Sequence, residues 1–414
     1  NTRTKWGRRR PYIFGGGLFV IAAFALLFIP LNGLSNNAAK IAIYTVGYMF
    51  YNTLSTVIAV SYSSMSTEIA TSSKETTQVN TLRLLFSMCS GGIATVGGAA
   101  LLEQYLSGAF NATTLYLIIV LGFGILYTVP LVLTGLYTHE RVELPKEKST
   151  FSFKTFIKPF KVKAFVFLLL GYLSAYVCMD LLSTNIVYFS NYALTANVGG
   201  SVILAVIMVC TGVTLPLYYY LMAKGWAKPV LFRLGIPVYI VGIVLLTMIE
   251  TSSAILVLGF CVIIGLGMGG SQLMPWIIFP DVVDVAELKY KDRPTGSFSG
   301  VMTFTKKCSS AIAIFLSGII LKAVGFVEPV ADEITGKIDY ADFVQPTSAV
   351  WGIRIMILAV VAVFMISAFI AMSKLKLSQK RAERVRELIE KNRKNEPFTA
   401  EDQADYDKIA KDLF

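Results

Sequence analysis

A few charged side chains interrupt the long apolar stretches of this sequence. They are Arg83, Asp180, Lys306, Lys307 and Arg354. A charged side chain at the centre of a bilayer costs about 2.5–3.5 kcal/mol on insertion scales, so each of these residues needs a functional or structural reason. Thr184 and Tyr188 follow Asp180 by four and eight residues and share its face of a helix. A carboxylate flanked by hydroxyls suits sugar hydroxyls or a coupling cation, and the alternative is an ion pair with a neighbouring helix.

Two adjacent lysines and an arginine in other apolar runs are further candidates. Lys306 and Lys307 lie about one third of the way into their run, beside Thr303. Adjacent residues on a helix point about 100° apart, so only one of the two lysines faces a cavity squarely, and the other can snorkel to the cytosol. Arg83 begins its run, where a guanidinium can bind sugar hydroxyls or a carboxylate, or can act as an interfacial anchor. Gln272, in a glycine-rich run, can also face a cavity.

Three acidic residues follow a later apolar run at a spacing of three residues. Asp281, Asp284 and Glu287 would therefore line one face of a helix at the cytosolic end of that run. Basic residues that precede two other runs can pair with these carboxylates. Such charge pairing predicts a cytoplasmic gate, and the alternative is a solvated loop. The predicted gate consists of Arg8, Arg9, Arg10, Lys228, Asp281, Asp284 and Glu287.

The overall composition identifies the solvent in which these groups must work. Of 414 residues, 55% are hydrophobic and only 15% are charged, with a mean hydropathy of +0.64. Soluble domains carry about 25% charged residues, so this chain has too few charges to cover a soluble surface. The composition excludes a soluble enzyme, a nucleic-acid-binding protein and a disordered chain. Its net charge of +11 comes in short stretches between apolar runs, which favours a membrane protein.

Ten apolar runs are long enough to cross a bilayer as helices of about 20 residues. They are roughly 11–30, 40–63, 82–102, 114–136, 164–189, 198–223, 229–248, 253–279, 296–321 and 348–372. The runs are continuous rather than alternating, which excludes a membrane β-barrel. Connecting segments alternate between rich and poor in Lys and Arg, so both termini of the chain are predicted to be cytoplasmic.

One long basic segment divides the predicted helices into four and six. The predicted organisation is an N-terminal helical half at 1–136, a cytoplasmic central loop at 137–163, a C-terminal six-helix half at 164–373 and a cytoplasmic tail at 374–414. Similar junctions, each with a tryptophan and a cation-proline pair, open the first and seventh runs. This weak internal symmetry is typical of a duplicated transporter. It predicts two helices upstream of this sequence and a parent of twelve.

The sequence resembles the glycoside–pentoside–hexuronide:cation symporters, the melibiose-permease-like members of the major facilitator superfamily. Lys-Trp-Gly-Arg-Arg-Arg-Pro-Tyr at 5–12 is similar to their loop between helices two and three. Pro-Asp-Val-Val-Asp-Val-Ala-Glu at 280–287, with Arg293, Gly296 and Lys307 after it, is similar to the segment between helices ten and eleven. Phe-Ser-Phe-Lys-Thr-Phe at 151–156 resembles their central loop. The match covers most of the chain in order.

The resemblance implies a twelve-helix fold, alternating access, and sugar uptake coupled to Na⁺, H⁺ or Li⁺. By position, Lys307 matches the family lysine near the sugar and cation sites, and Thr303 matches a polar neighbour. Arg83 matches the arginine of the sugar site. Ala59 departs from the family pattern, because melibiose permease has an acidic residue there.

These observations predict an all-α membrane protein with the major facilitator fold, containing ten of twelve transmembrane helices. We expect a secondary active transporter that moves a sugar with a cation across the cell membrane, by alternating access. Substrate contacts are predicted from Arg83, Asp180, Thr184, Tyr188, Gln272, Thr303 and Lys307, and coupling contacts from Asp180, Thr303 and Lys307. The expected partners are the sugar, Na⁺ or H⁺ and the lipid bilayer. No nucleic acid, metal or cofactor is expected, and the protein is expected to be a monomer and not an enzyme. The alternative function is export of lipophilic compounds, which would need an apolar, aromatic cavity.

Overall fold

A computed structural model describes residues 6–31, 34, 36–66, 68–70, 72–106, 111–141, 154–327 and 345–414. These residues are mainly helical, and no β-strand is found in the described ranges. The predicted all-α class is therefore confirmed. The first half of the predicted central-loop motif, at 151–153, and the first residues of the chain, at 1–5, lie outside the described residues.

The helices follow one another along the chain with short connections. The first part contains α1 (Arg10–Phe28), α2 (Asn37–Met65), α3 (Ser73–Leu106), α4 (Ala112–Leu117) and α5 (Gly124–Tyr137). A π-helical stretch (Ile118–Phe123) joins α4 and α5 into one continuous helix. The second part contains α6 (Lys154–Ile157), α7 (Lys163–Tyr188), α8 (Gly200–Ala223), α9 (Lys228–Met248), α10 (Ala254–Tyr290), α11 (Thr295–Ala323), α12 (Thr347–Lys374), α13 (Gln379–Lys394) and α14 (Ala400–Leu413). A 3₁₀ turn (Lys158–Lys161) follows α6, and a π-helical stretch (Phe189–Ala193) extends α7.

Each of the ten predicted apolar runs coincides with a helix of the described chain. Eight of these helices are long and apolar enough to span a membrane. The other two, α2 and α3, are equally long but are not among the eight. Asn, Ser and Thr side chains recur along α2, and α3 begins with a polar turn, Ser-Lys-Glu-Thr-Thr-Gln. The number of ten crossings therefore stays a prediction.

One compact unit contains residues 1–80, 93–158 and 292–303. In this unit α1 packs against α2 and α5. Proline at the second position of α1 suits a helix start, because its missing N–H would have no partner there. The buried core of the packed helices consists of Ile13, Val20, Ile58, Met65 and Leu131. The first residues of α11 also belong to this unit. There Gly296 lies beside Arg9 of the basic junction (residues 5–12), because a Cβ atom on Gly296 would be 3.1 Å from a guanidinium nitrogen.

The other compact unit contains residues 81–92, 159–291 and 304–414. Here α10 packs along α9 and α8, while α12 packs on α7 and α9. The contact between α9 and α10 is close enough to require glycine: a Cβ atom on Gly267 would lie 2.2 Å from the Tyr239 backbone nitrogen. Small residues permit such close approach of helices in lipid, where van der Waals packing replaces the hydrophobic effect as the driving force.

The C-terminal tail, to which the sequence assigns no chemistry, folds into a helical hairpin. Helices α13 and α14 pack on each other, and they also pack against α10 and α7 respectively. The N-cap of α14 is a capping box, in which Thr399 and Asp402 each bond the other's backbone N–H. A hydrogen bond from Lys391 to Asp402, supported by the Thr399 backbone N–H, lowers the pKa of the Asp402 carboxyl below its ordinary value.

Candidate functional site

A saturated carboxylate lies near the middle of α7. The Asp180 oxygens accept hydrogen bonds from the Lys306 ammonium at 2.8 and 2.9 Å and from the Ser310 hydroxyl at 2.7 Å. The Ser309 hydroxyl lies 3.0 Å from the same carboxylate and 2.7 Å from the Lys306 main-chain carbonyl, and it can donate its one hydrogen to either. The three donors share one face of α11 because they are spaced at i, i+3 and i+4. An ionised carboxylate has about four acceptor positions, so these donors satisfy Asp180 as an anion.

The same lysine connects Asp180 to a row of aromatic side chains. The Lys306 ammonium lies 4.3 Å from the centroid of the Tyr176 ring, which precedes Asp180 by four residues on the same face of α7. The Tyr176 hydroxyl accepts a hydrogen bond of 3.0 Å from the indole N–H of Trp276. The Arg83 guanidinium lies 5.1 Å from the Trp276 ring. The cations Lys306 and Arg83 therefore lie on either side of the aromatic pair Tyr176 and Trp276.

We refer to these residues together as the central cluster. It consists of Arg83, Trp276, Tyr176, Lys306, Asp180, Ser309 and Ser310. All of them belong to the compact unit that contains residues 159–291. The predicted substrate residues Arg83 and Asp180 are therefore brought into one continuous arrangement, through aromatic groups that the sequence did not single out. A cluster of this kind offers charge-assisted hydrogen bonds and aromatic faces to a polar solute.

The other predicted substrate residues lie outside this network. The Thr184 hydroxyl donates to the Asp180 main-chain carbonyl at 2.8 Å, and the Tyr188 ring packs edge-on against Phe326. The Gln272 amide is buried and donates to a main-chain carbonyl of α7 at 2.9 Å. The Thr303 hydroxyl donates to a carbonyl of its own helix, also at 2.9 Å. Their roles in binding stay predictions.

The structure distinguishes between the two adjacent lysines of α11. Lys306 holds Asp180, whereas Lys307, the residue favoured from the sequence, is exposed. The sequence contains a signal for Lys306, because Ser309 and Ser310 repeat its helical face and a lysine-serine face suits a carboxylate. The proposed role of Lys307 in substrate and cation binding stays a prediction.

The predicted acidic face at the end of α10 exists, and its carboxylates are buried. Asp281, Asp284 and Glu287 lie on one continuous helix, which extends to Tyr290 rather than ending near residue 279. Lys228, at the start of α9, donates to Asp281 at 2.6 Å. Both residues belong to the predicted cytoplasmic gate, whose function stays a prediction. We refer to the three acids as the acidic trio.

The other partners of the acidic trio come from the tail, which the sequence analysis missed. Arg386 on α13 donates to Asp284 at 2.8 Å and lies 3.4 Å from an oxygen of Asp281. Arg393, two turns later, donates to Glu287 at 2.9 Å. Helix α13 thus packs on α10 through complementary charges.

The three arginines of the basic junction have partners within their own compact unit. Arg8 and Arg9 each place a guanidinium nitrogen 3.7 Å from the buried Glu68 carboxylate, and their backbone N–H groups donate to Glu140 at 2.9 and 2.7 Å. Arg10 donates to main-chain carbonyls at the end of α5. Burial lowers the pKa of Arg9, while the charge of Glu68 opposes that shift. The predicted pairing of this junction with the acidic trio stays a prediction.

The described residues include eight helices that are long and apolar enough to span a membrane, which is typical of a multi-pass membrane protein. The fold supports that class: a bacterial homologue of the iron transporter ferroportin, in its outward-facing state, matches with a TM-score of 0.59 at 12% sequence identity. The match covers 89% of this chain and 84% of that structure. A major facilitator superfamily transporter, FucP, in its outward conformation matches with a TM-score of 0.57 at 12% sequence identity, over 88% of this chain and 83% of that chain. The predicted major facilitator fold is confirmed.

The chain belongs to the family of MFS/sugar transport proteins, whose model matches residues 1–379. It is 24% identical to an uncharacterized symporter of Synechocystis sp., over 89% of this chain and 81% of the relative. It is 20% identical to the sodium-dependent lysophosphatidylcholine symporter 1 of Gallus gallus, over 78% of this chain and 66% of the relative. A putative sulfoquinovose importer of Salmonella typhimurium is 30% identical, over 27% of this chain and 24% of the relative. The predicted family is confirmed, and the protein is a multi-pass membrane transporter.

Proposed function

We propose that the protein is a symporter that carries a sugar or glycoside together with a cation, Na⁺ or H⁺, across the cell membrane by alternating access. The observation that carries this proposal is the central cluster, and above all the Asp180–Lys306 ion pair at its core. Both termini of the chain are proposed to lie in the cytoplasm, from the distribution of Lys and Arg between the apolar runs.

The depth of the ion pair supports a solute path. Asp180 follows the start of the α7 span by 17 residues and precedes its end by 13. At a rise of about 1.5 Å per residue, these are about 26 and 20 Å of helix. The side chains keep 36% of the Lys306 surface and 18% of the Asp180 surface exposed. Because exposed charges at this depth avoid lipid and face water or protein, the exposed side of the pair indicates an aqueous route.

The chemistry of the cluster favours a polar solute with rings and hydroxyls. Trp276 and Tyr176 offer aromatic faces, while Arg83 offers a planar fork of N–H donors. The family description and the sulfoquinovose importer among the relatives support a sugar. The sodium-dependent symporter among the relatives supports coupling to a cation.

Export of lipophilic compounds is the second candidate, because one relative is named for a lysolipid. A lipophilic exporter needs an apolar binding surface. Two cations and a carboxylate in the central cluster oppose that function, since an apolar solute would leave their polar groups without compensation.

Uptake into proteoliposomes tests the proposal. Radiolabelled methyl glucosides, galactosides, pentosides and glucuronides are offered under an inward Na⁺ gradient, an inward H⁺ gradient, or neither. We expect uptake of at least one sugar, stimulated by one gradient. Trp276→Leu should reduce that uptake at least tenfold, because it removes an aromatic face and the donor to Tyr176. Lys322→Gln, in the last turn of α11 and outside the cluster, is the matched control and should behave as the unmodified protein.

Two results would contradict the proposal in different ways. Uptake that is equal with and without both gradients would refute cation coupling and leave sugar transport standing. Absence of uptake for every sugar, together with uptake of a lysolipid by the same vesicles, would refute the sugar as substrate.

A further inference from the structure

The Asp180–Lys306 ion pair differs from a simple structural contact because each member has a second partner. If the pair separates, Asp180 keeps the hydrogen bond from the Ser310 hydroxyl at 2.7 Å, and the Ser309 hydroxyl at 3.0 Å can donate to it as well. Lys306 keeps the face of the Tyr176 ring, at 4.3 Å from its centroid. Neither charge would then be left bare, so the cost of opening the pair is reduced.

The ion pair is not the only described link between its two helices. Helices α7 and α11 are already joined by an uncharged hydrogen bond, from the Asn185 amide to the Ser317 hydroxyl at 2.6 Å, and both residues are buried. The Asp180–Lys306 pair is a second link made of partly exposed charges, about one and a half turns away along α7 and about three turns away along α11. It therefore invites a purpose other than packing. Its exposure allows small ions to reach either member.

We propose that Asp180 and Lys306 form an exchangeable ion pair that selects negatively charged sugars and couples them to the cation. In this exchange the anionic group of the substrate replaces Asp180 at the Lys306 ammonium. The coupling cation replaces Lys306 at the Asp180 carboxylate, where the hydroxyl oxygens of Ser309 and Ser310 complete a set of oxygen ligands that suits a hard cation. This inference rests on the proposed symport function and specifies its substrate class.

The exchange explains coupling without a separate device. A substrate anion that arrives alone displaces Asp180 and leaves an extra negative charge in the membrane interior. A cation that arrives alone displaces Lys306 and leaves an extra positive charge. When both arrive, every charge is paired again, so each ligand raises the affinity for the other by the same factor. A neutral sugar does not open the pair and gains little from the cation.

Binding measurements on the purified full chain test the exchange with a matched pair of sugars. Methyl β-D-glucuronide and methyl β-D-glucoside differ only in a carboxylate that replaces a hydroxymethyl group, and the corresponding galactosides form a second pair. Each is titrated with Na⁺ or with choline at constant pH, and again without Na⁺ at several pH values, so that Na⁺ and H⁺ are distinguished as the cation. We expect the charged sugar to bind at least tenfold more tightly when one of the two cations is supplied, and the neutral sugar to change less than twofold.

Substitutions of the two members of the pair should change the glucuronide affinity in opposite directions. This result distinguishes exchange from a structural role. Asp180→Asn removes the internal competitor, so the glucuronide should bind tightly and independently of the cation. Lys306→Gln should abolish the preference for the glucuronide, a loss of roughly tenfold to hundredfold for one charge-assisted hydrogen bond. Lys306→Arg should retain the preference. Lys322→Gln is again the control.

Three outcomes overturn the inference. One is a preference for the neutral sugar in the unmodified protein, which leaves sugar symport intact but refutes the substrate class. Another is a fall in glucuronide affinity in Asp180→Asn as large as that in Lys306→Gln, which indicates that the pair serves only to position its helices. Absence of binding for all four sugars refutes the proposed function as well.

Discussion

The close contact between α9 and α10 makes a quantitative prediction about one glycine. A Cβ atom on Gly267 would lie 2.2 Å from the Tyr239 nitrogen, 2.6 Å from its Cα atom and 2.8 Å from the Gly235 carbonyl oxygen. All three atoms belong to the backbone, so no side chain can rotate away. Gly259, eight residues earlier on the same helix, has nothing within 4 Å of the corresponding position. The substitutions Gly267→Ala and Gly259→Ala therefore form a matched pair.

The expected difference follows from the geometry. Both variants gain the same helix propensity, about 0.5–1 kcal/mol, so this contribution cancels between them. Carbon contacts are most favourable at about 3.5–4.0 Å, so α9 and α10 must separate by about 1 Å to admit the methyl group on Gly267. Overpacking of this kind costs about 1–3 kcal/mol. Gly267→Ala should therefore melt on the order of 2–8 °C below Gly259→Ala.

The protein supplies its own probe for this measurement. Cys178 and Cys261 are buried, whereas Cys89 is exposed. After the accessible thiols have been blocked in the folded protein, a thiol-reactive dye reports the exposure of the buried ones as detergent-solubilised protein is heated. Gly259→Ala should melt at or slightly above the unmodified protein. If Gly267→Ala melts at or above Gly259→Ala, the close approach of the two helices is refuted.

Three further predictions concern the tail hairpin and the basic junction. Arg386→Asp should expose the hairpin to proteolysis, and adding Asp284→Arg should restore protection because the ion pair is re-formed with reversed charges. Since Lys391 lowers the pKa of Asp402, the hairpin gains stability from this ion pair. That stabilisation is complete above the unfolded carboxyl pKa, about 3.9, and is lost as the pH falls through the lower folded-state pKa. Amide exchange in α14 measures this loss, and Asp402→Asn should remove the pH dependence. Glu68→Gln should destabilise the protein by about 3 kcal/mol in the dye assay, because it leaves two arginines without their buried counter-charge.

The positions of the helices were largely predictable from the sequence, because hydropathy marks the part of a helix that lies in lipid. The predicted runs 164–189 and 229–248 begin within one residue of α7 (Lys163–Tyr188) and α9 (Lys228–Met248). The end of α10 was not predictable in this way. Its apolar run ends near residue 279, but the helix continues to Tyr290 because its acidic residues are buried against other charges.

The candidate site was only partly predictable for a related reason. The high cost of a charge in lipid identified Arg83 and Asp180 without any structure. Spacing within a helix also gives the angle between Lys306 and Lys307, but it does not give the rotation of α11 relative to α7. That rotation is set by packing between helices, and it decides that Lys306 meets the carboxylate. Trp276 was inconspicuous because an apolar run contains many aromatic residues.

The charge pattern of the sequence contains a signal for the packing of the tail. Arg386 and Arg393 are seven residues apart, about 10.5 Å along one face of a helix, while Asp281 and Glu287 are six residues apart, about 9 Å. Two helices with charges of opposite sign at nearly equal spacing can pack face to face, and α13 does so on α10. Because these arginines are partners of the acidic trio, loss of residues 375–414 and neutralisation of the trio should affect transport in the same direction. Neutralising the acidic trio therefore tests the contact with the tail as well as the proposed gate. The charge-reversed pair Arg386→Asp with Asp284→Arg distinguishes the two roles, because it restores the contact between the tail and α10.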